Sequence, residues 1–396
     1  MEPSSPAAPK LDFNLSPDCD SEQIRVLHLH SGNMMGGIES LLLTIAECGN
    51  ATPELDHQFA LTFDDTFAAR LRHLGRKVHL LPQVRLRYLP SIRRSRYQLR
   101  TLLQESSFDV VIAHSSWIQL IFADVVRRRS VPRVLWMHGP FDGHWLQKLA
   151  SFQQPDFVIC NSQWTRSTLD RCYPRVRGLV IYAPVPARRD KSDLAQVRNS
   201  LAIQSDEVVI LIAARMESWK GHFVLLDALS DMKSSVPWKL LVAGAPNSAR
   251  ERAYFESLQH RSAAPELRGR VQFLGYRSDV SALLSVTDIY CQPNRKPEPF
   301  GVVYVEALHA GVPVVTSAIG GAREILDRGT AIFVEPGDRS SLTRALSQLI
   351  DDREERTRLG NAGPPRARVL CDPGQQMQKL SETLQSVVGR KKAGSL

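Results

Sequence analysis

The stretch IRVLHLHSGNMMGGIESLLLTIAECG, Ile24 to Gly49, decides how the rest of the chain is read. IRVLHLH is a short, mostly apolar run of strand length. IESLLLTIAECG carries its apolar residues at helical spacing and stops at Gly49, a helix-ending residue. Between them lies the pair Gly36-Gly37. A strand, a glycine turn and a helix form the opening half of a βαβ unit.

Working outward, the same alternation recurs. HQFALTF, KVHLLP, FDVVIAHS, RVLWMHG, DFVICNS and LVIYAPV read as strands, with helical patterns such as TFAARLRHLG, SIRRSRYQLRTLLQ, IQLIFADVV and WTRSTLDRCY between them. Around Pro184 to Asp206 the pattern gives way to PVPARRDKSDLAQVRNSLAIQSDE, polar, charged and proline-bearing, which reads as a linker. It then restarts with VVILIAA, WKLLVAGAP, VQFLGY, DIYCQP, VPVVTS and TAIFVE as strands. The expected fold class is α/β, with two similar domains in series, each a parallel sheet covered on both faces. The expected organisation is a disordered tail over 1–23, a first domain over 24–184, a linker over 185–206, a second domain over 207–372, and a C-terminal segment over 373–396.

Composition bounds the function. The chain has 396 residues, 43% hydrophobic and 23% charged, and no apolar run long enough to span a bilayer, so an integral membrane protein is excluded. The N-terminal residues lack the apolar core of a signal peptide. Six scattered cysteines without a CxxC pair indicate neither a zinc site nor a disulfide framework, which suits a cytoplasmic location. No metal and no nucleic-acid partner is expected. The net charge of +9 is concentrated: Arg70, Arg72, Arg76, Lys77, Arg85, Arg87, Arg93, Arg94, Arg96 and Arg100 follow one another with no acidic residue between them. Such a run fits a solvated helix face or an anionic partner, either a membrane surface or a phosphate-bearing acceptor.

In open α/β sheets ligands bind beyond the carboxyl ends of the strands, and four loops there stand out. Gly36 and Gly37 precede a helix, so bare amides and a positive helix end meet where an anion could sit; a tight turn fits the pair equally. In AARMESWKGH, Arg215 and Lys220 are two cations suited to a diphosphate. WMHG ends on His138, with His28, His30 and His114 as rivals under the same logic. In KPEPFGVVYVEALHAGVPVV, Pro297 and Pro299 hold Glu298 in an extended loop before a helix starting near Gly301. Free amides at Gly301, Val302 and Val303 can bind an anion, and Glu306, one turn deeper on the same face, can accept hydrogen bonds from hydroxyls farther along the same ligand.

Taken together, Arg215, Lys220-Gly221, Glu298-Pro-Phe-Gly, Glu306-Ala and Gly311-Val-Pro-Val-Val closely resemble the retaining glycosyltransferase family 4 of GT-B architecture. GGIES, MHG at His138, CNSQWTRSTL and FLGY at Gly275 fall in that family's order. The resemblance covers residues 24 to 350 and implies two Rossmann-like domains facing across a cleft. It implies that Arg215 and Lys220 bind the donor diphosphate, with Phe300, Gly301, Val302 and Val303 in the cradle and Gly36 and Gly37 approaching from the opposite domain. Glu306 would hold the ribose, Glu298 the transferred sugar and His138 its orientation, while Gly275 and Tyr276 would flank the base.

The resemblance also implies retention of configuration without a divalent metal; the DxD triplet Asp18-Cys19-Asp20 lies in the tail. Pro364 and Pro365 depart from the family pattern at the crossover, after which a final helix near Pro373 to Val388 is expected to return to the first domain. The expected function is transfer of a sugar from a nucleotide sugar, UDP- or GDP-linked, to a glycan, lipid-linked or small-molecule acceptor, with no cofactor beyond that co-substrate. A sugar-nucleotide epimerase or hydrolase of the same architecture, and a non-catalytic nucleotide-sugar-binding protein docked at a membrane, are the competing readings.

Overall fold

A computed structural model describes residues 23–33, 35–188 and 193–394. The N-terminal segment read as a tail, with Asp18-Cys19-Asp20 in it, lies outside the described residues except for Gln23. Seven strands form the first sheet: β1 (Ile24–His30), β2 (Leu55–Leu61), β3 (Val78–Leu80), β4 (Val110–Ala113), β5 (Arg133–Met137), β6 (Phe157–Cys160) and β7 (Gly178–Val180). Six form the second: β8 (Val208–Ala213), β9 (Trp238–Ala243), β10 (Val271–Gly275), β11 (Ile289–Gln292), β12 (Val314–Ser317) and β13 (Ala331–Val334).

All described pairings are parallel, in the orders β3-β2-β1-β4-β5-β6-β7 and β10-β9-β8-β11-β12-β13. Helices on both faces explain why a strand such as β8, VVILIA, is buried at every residue. Each sheet reverses its direction of growth once, between β1 and β4 in the first and between β8 and β11 in the second. A crevice opens at such a switch point because the connections on either side leave toward opposite faces. The loops after β1, β4, β8 and β11 therefore border the two crevices.

The polar segment read as a linker is not structureless. Leu194–Ser200 is helical, capped by the Asp193 carboxylate, which accepts from the Ala195 amide at 2.9 Å. Leu201 and Ile203, just past it, are buried in the core. The few apolar residues among many charges were too sparse to register as a helical stripe.

Pro364 and Pro365 do not break the chain either: they sit inside one helix, Arg353–Cys371. That helix crosses the Val302–His309 helix closely, because Gly360 faces the Gly311 carbonyl and Gly363 the Leu308 backbone, where a Cβ would lie 2.2 and 2.7 Å from the facing oxygens. The last helix, Pro373–Lys392, buries Met377, Leu380, Leu384 and Val387 in the core that also holds Val26, Leu42 and Phe59 of the first domain. Ser381 hydrogen-bonds to Glu54 near the start of β2.

Candidate functional site

The loops after β8 and β11 are locked together. Gly221 adopts φ +86°, and a Cβ there would collide with the Pro293 carbonyl at 2.0 Å, so only glycine lets the two loops close up. The Arg295 amide donates to the Trp219 carbonyl at 2.7 Å. This contact brings Lys220 to Glu298: Nζ lies 2.6 Å from Oε2, with side chains 12% and 11% exposed. Glu298 Oε2 also accepts from Gln292 Nε2 at 3.1 Å and Asn294 Nδ2 at 3.2 Å. Arg215, by contrast, is exposed at the rim and paired with Glu217 at 3.0 Å.

The Glu298 loop leads into the Val302–His309 helix, whose N-cap, Gly301, has φ +91° and offers no side chain to the first-turn amides. Those amides are donors awaiting an acceptor. Glu306, one turn along, is partly buried, and among the described residues no side-chain or backbone donor reaches its carboxylate. Burial pushes its pKa up to about 7, against the opposing charge of Arg188. Phe300 is buried at the domain junction and stacks on Tyr182 with ring centroids 5.8 Å apart, so contact between Phe300 and a ligand would run through its backbone. Gly275 ends β10 with φ +66°, and Tyr276 beside it is exposed, at the same edge of the sheet but two strands away from β8.

On the first domain, the helix Gly37–Glu47 begins after Gly36, and a Cβ on Gly37 would meet nothing within 4 Å. No side chain caps this helix start at the β1/β4 switch point, although the Glu39 carboxylate lies beside Gly36. His138 follows β5, and the Cβ direction of its neighbour Gly139 comes within 3.7 Å of Pro299 Cγ, next to Glu298. The loops carrying His138 and Glu298 thus approach each other closely across the cleft. His28, His30 and His114 are buried, whereas His138 keeps part of its surface open. Position alone therefore separates it from its rivals.

The two domains are also clasped beside the site. The Glu324 carboxylate accepts from the Gln163 and Trp164 amides, both at 2.7 Å, and from the Tyr182 hydroxyl at 3.0 Å. A carboxylate from the second domain thereby caps a helix start in the first. Its sequence signal was the Gly320-Gly321 turn ahead of it, which borders the Glu298 backbone through the Gly321 amide at 2.7 Å.

Sequence reasoning also missed the polar shell beneath Glu298. Tyr304 Oη accepts from Gln292 Nε2 at 3.2 Å and Asn294 Nδ2 at 3.0 Å, and shares a hydrogen bond with Thr316 Oγ1 at 3.0 Å. Tyr290 Oη donates to Gln292 Oε1 at 2.8 Å. Burial raises both tyrosines well above their ordinary pKa, so both remain neutral donors. The shell fixes the Glu298 carboxylate in one orientation. Chemically, the loops after β8 and β11 and the helix start that follows supply two cations, uncapped amides and two carboxylates, groups that suit a phosphate flanked by hydroxyls.

Known proteins match this chain in sequence and fold. Residues 35–189 fit the model described as Glycosyltransferase Family 4, and residues 194–366 the model described as Glycosyl transferases group 1. A GDP-mannose-dependent alpha-(1-6)-phosphatidylinositol monomannoside mannosyltransferase of Mycolicibacterium smegmatis is 30% identical over 290 residues, 67% of this chain and 73% of that one. A GDP-mannose-dependent monoacylated alpha-(1-6)-phosphatidylinositol monomannoside mannosyltransferase of Corynebacterium glutamicum is 30% identical over 205 residues, 49% of this chain and 51% of that one. Apart from the Mycolicibacterium enzyme, the chain spans about half the length of the curated relatives it matches. Among solved structures, Anabaena HepE in complex with UDP-glucose superposes with a TM-score of 0.82 at 23% identity, over 92% of this chain and 100% of that one, a likeness of fold. On these matches the chain belongs to the glycosyl transferases group 1, glycosyltransferase family 4.

Proposed function

We propose that the protein is a retaining hexosyltransferase that moves a sugar from a UDP- or GDP-linked donor to a lipid-linked or glycan acceptor without a divalent metal. The observation that carries this reading is the meeting of Lys220 and Glu298 at 2.6 Å beside the uncapped start of the helix that holds Glu306. In this reading the donor diphosphate lies against Arg215, Lys220 and the amides of Gly301, Val302 and Val303, with Gly36 and Gly37 opposite. The ribose hydroxyls donate to Glu306, the sugar hydroxyls engage Glu298, Gly275 and Tyr276 flank the base, and His138 orients the sugar.

The chemistry follows from charge. As the bond from the anomeric carbon to the diphosphate oxygen breaks, negative charge grows on the phosphate and positive charge on the sugar ring. Fixed cations and amides at short range stabilise the first without reorganising. The domain facing the cleft holds the acceptor hydroxyl against the same carbon, so that positioning supplies the remainder.

A second observation supports a membrane-side acceptor. On the helix Leu89–Glu105 and the loop before it, Arg85, Arg87, Arg93, Arg94 and Arg100 are exposed next to exposed Leu86, Tyr88, Leu89 and Tyr97. Cations interleaved with exposed aromatic and aliphatic side chains suit an anionic lipid surface better than a merely solvated face. No described helix is long and apolar enough to cross a membrane, so attachment in this reading is peripheral, at the cytoplasmic face. The relatives named above, by their descriptions, act on phosphatidylinositol mannosides.

The test is incubation with a panel of UDP- and GDP-sugars, with and without lipid acceptors, measuring release of the nucleoside diphosphate and the anomeric configuration of the product. Acceptor-dependent release with retention supports the proposal. Equal release without acceptor would point to a hydrolase or epimerase, and binding without any release to a non-catalytic protein.

A further inference from the structure

Four buried or half-buried histidines from four different strand regions form one continuous chain across the first sheet. His57 Nδ1 lies 2.9 Å from His28 Nε2, His28 Nδ1 lies 2.9 Å from His114 Nε2, and His114 Nδ1 lies 3.0 Å from His138 Nε2. The sheet order β2-β1-β4-β5 sets these residues side by side. Phe59 stacks on His28 at 5.0 Å, and Trp136 stacks on His114 at 5.7 Å and on His138 at 5.8 Å, which fixes the ring planes. The nitrogens face one another, and among the described residues no group of three or more His, Cys, Asp or Glu is arranged to hold a metal ion.

Burial depresses all four rings, to about 3 for His57 and His138 and well below the ordinary value for His28 and His114, so each is neutral and carries one proton. Each of the three links needs one N–H and one lone pair. Proton counting then leaves only two states. Either every ring is protonated on Nδ1, or every ring is protonated on Nε2, and the choice made at one end is imposed on the other.

The far end breaks the tie. His57 Nε2 is fully buried with no partner, and an orphan N–H is tolerated less well than a bare acceptor. His57 therefore donates through Nδ1, and the same polarity runs to the site.

We infer that His57, His28 and His114 are positioning residues that lock His138 as an Nδ1–H donor, presenting a fixed N–H to a sugar hydroxyl oxygen at the cleft. Nε2 of His138 is occupied by His114, and among the described residues Nδ1 has no protein partner. The inference about the sugar rests on the proposed transferase reading; the tautomer itself does not.

The test is nitrogen-15 NMR of the full-length protein labelled at histidine, which distinguishes protonated from bare ring nitrogens and detects couplings across N–H···N bonds. All four rings protonated on Nδ1, with couplings along the three links, is the expected result. Nε2–H on His138, or a mixture of polarities along the chain, would overturn the inference even in a protein that transfers sugar. Failure of every nucleotide sugar to react, with the Nδ1–H pattern intact, would instead strike the transferase reading alone. A kinetic arm adds a second check. His114→Leu removes the partner of His138 and should lower kcat roughly tenfold, the loss of one ordinary hydrogen bond, with little change in affinity for the free nucleoside diphosphate. His114→Asn, whose amide nitrogen can occupy the Nδ1 position, should recover most of that loss; equal kcat in the two variants would contradict the positioning role.

Discussion

Lys220 and Glu298, on loops after different strands, meet through Nζ and Oε2 at 2.6 Å, with Lys220 also 4.0 Å above the Trp219 ring. A pair so little exposed gains from mutual attraction but leaves a costly charge if one member is lost. Lys220→Met should therefore destabilise the protein by about 3 kcal/mol in chemical denaturation. The double variant Lys220→Met/Glu298→Gln should recover most of that stability while remaining inactive, because it removes both charges that the donor would use. Equal stability of the single and double variants would show that the pair is not coupled.

Glu306 carries the clearest pH signature. Its folded pKa of about 7 lies above the ordinary 4.5, so the folded state retains a proton that the unfolded chain releases across that interval. Stability from this residue is intact below about pH 4.5 and declines as pH rises toward 7. Glu306→Gln should thus be more stable than the natural protein by about 3 kcal/mol at pH 8 and indistinguishable at pH 4, read by denaturant titration at both pH values. Its donor affinity should fall about tenfold through the lost ribose contacts. A residue kept at a cost in stability is expected where binding needs it.

Arg215 separates function from folding. Its side chain is 44% exposed and its pairing with Glu217 is a surface contact. Arg215→Ala should leave the denaturation midpoint within about 0.5 kcal/mol of the natural protein. Turnover should nevertheless fall by about 100-fold or more, the usual effect of removing a preorganised charge from a leaving group. Steady-state release of nucleoside diphosphate measures this.

Much of this was readable beforehand, and the boundary has physical causes. Strand–helix alternation was visible because parallel strands buried on both faces are continuous apolar runs. The glycine turns and the Arg215, Lys220, Glu298 and Glu306 positions stood at strand ends where open sheets bind ligands. Harder to see was anything that depends on which strands become neighbours. His57, His28, His114 and His138 form one chain only because β2, β1, β4 and β5 lie in that order, and Gln292, Asn294, Tyr304 and Thr316 converge only through the β11–β12 pairing. The helix through Pro364 and Pro365 was not legible, because local propensity argues against proline within a helix, whereas packing of Gly360 and Gly363 on the neighbouring helix favours its continuation.

The basic surface makes its own prediction. Arg93→Glu/Arg94→Glu, at two exposed positions without an ion-pair partner among the described residues, should reduce binding to vesicles rich in anionic lipid by at least tenfold at physiological salt. The natural protein should itself release as salt is raised. Tyr97→Ala should weaken the same binding in a less salt-sensitive way. Co-sedimentation with anionic and with neutral vesicles reads both effects, and turnover of a water-soluble acceptor should be unaffected by either variant.

The central claim, that the β8 and β11 loops and the start of the Val302–His309 helix form the donor site, is tested most directly by a crystal structure with a bound nucleoside diphosphate. The account predicts phosphates within hydrogen-bond reach of Arg215, Lys220 and the amides of Gly301 to Val303, with both ribose hydroxyls on Glu306. A nucleotide bound elsewhere, or one whose ribose leaves Glu306 without a partner, would contradict it.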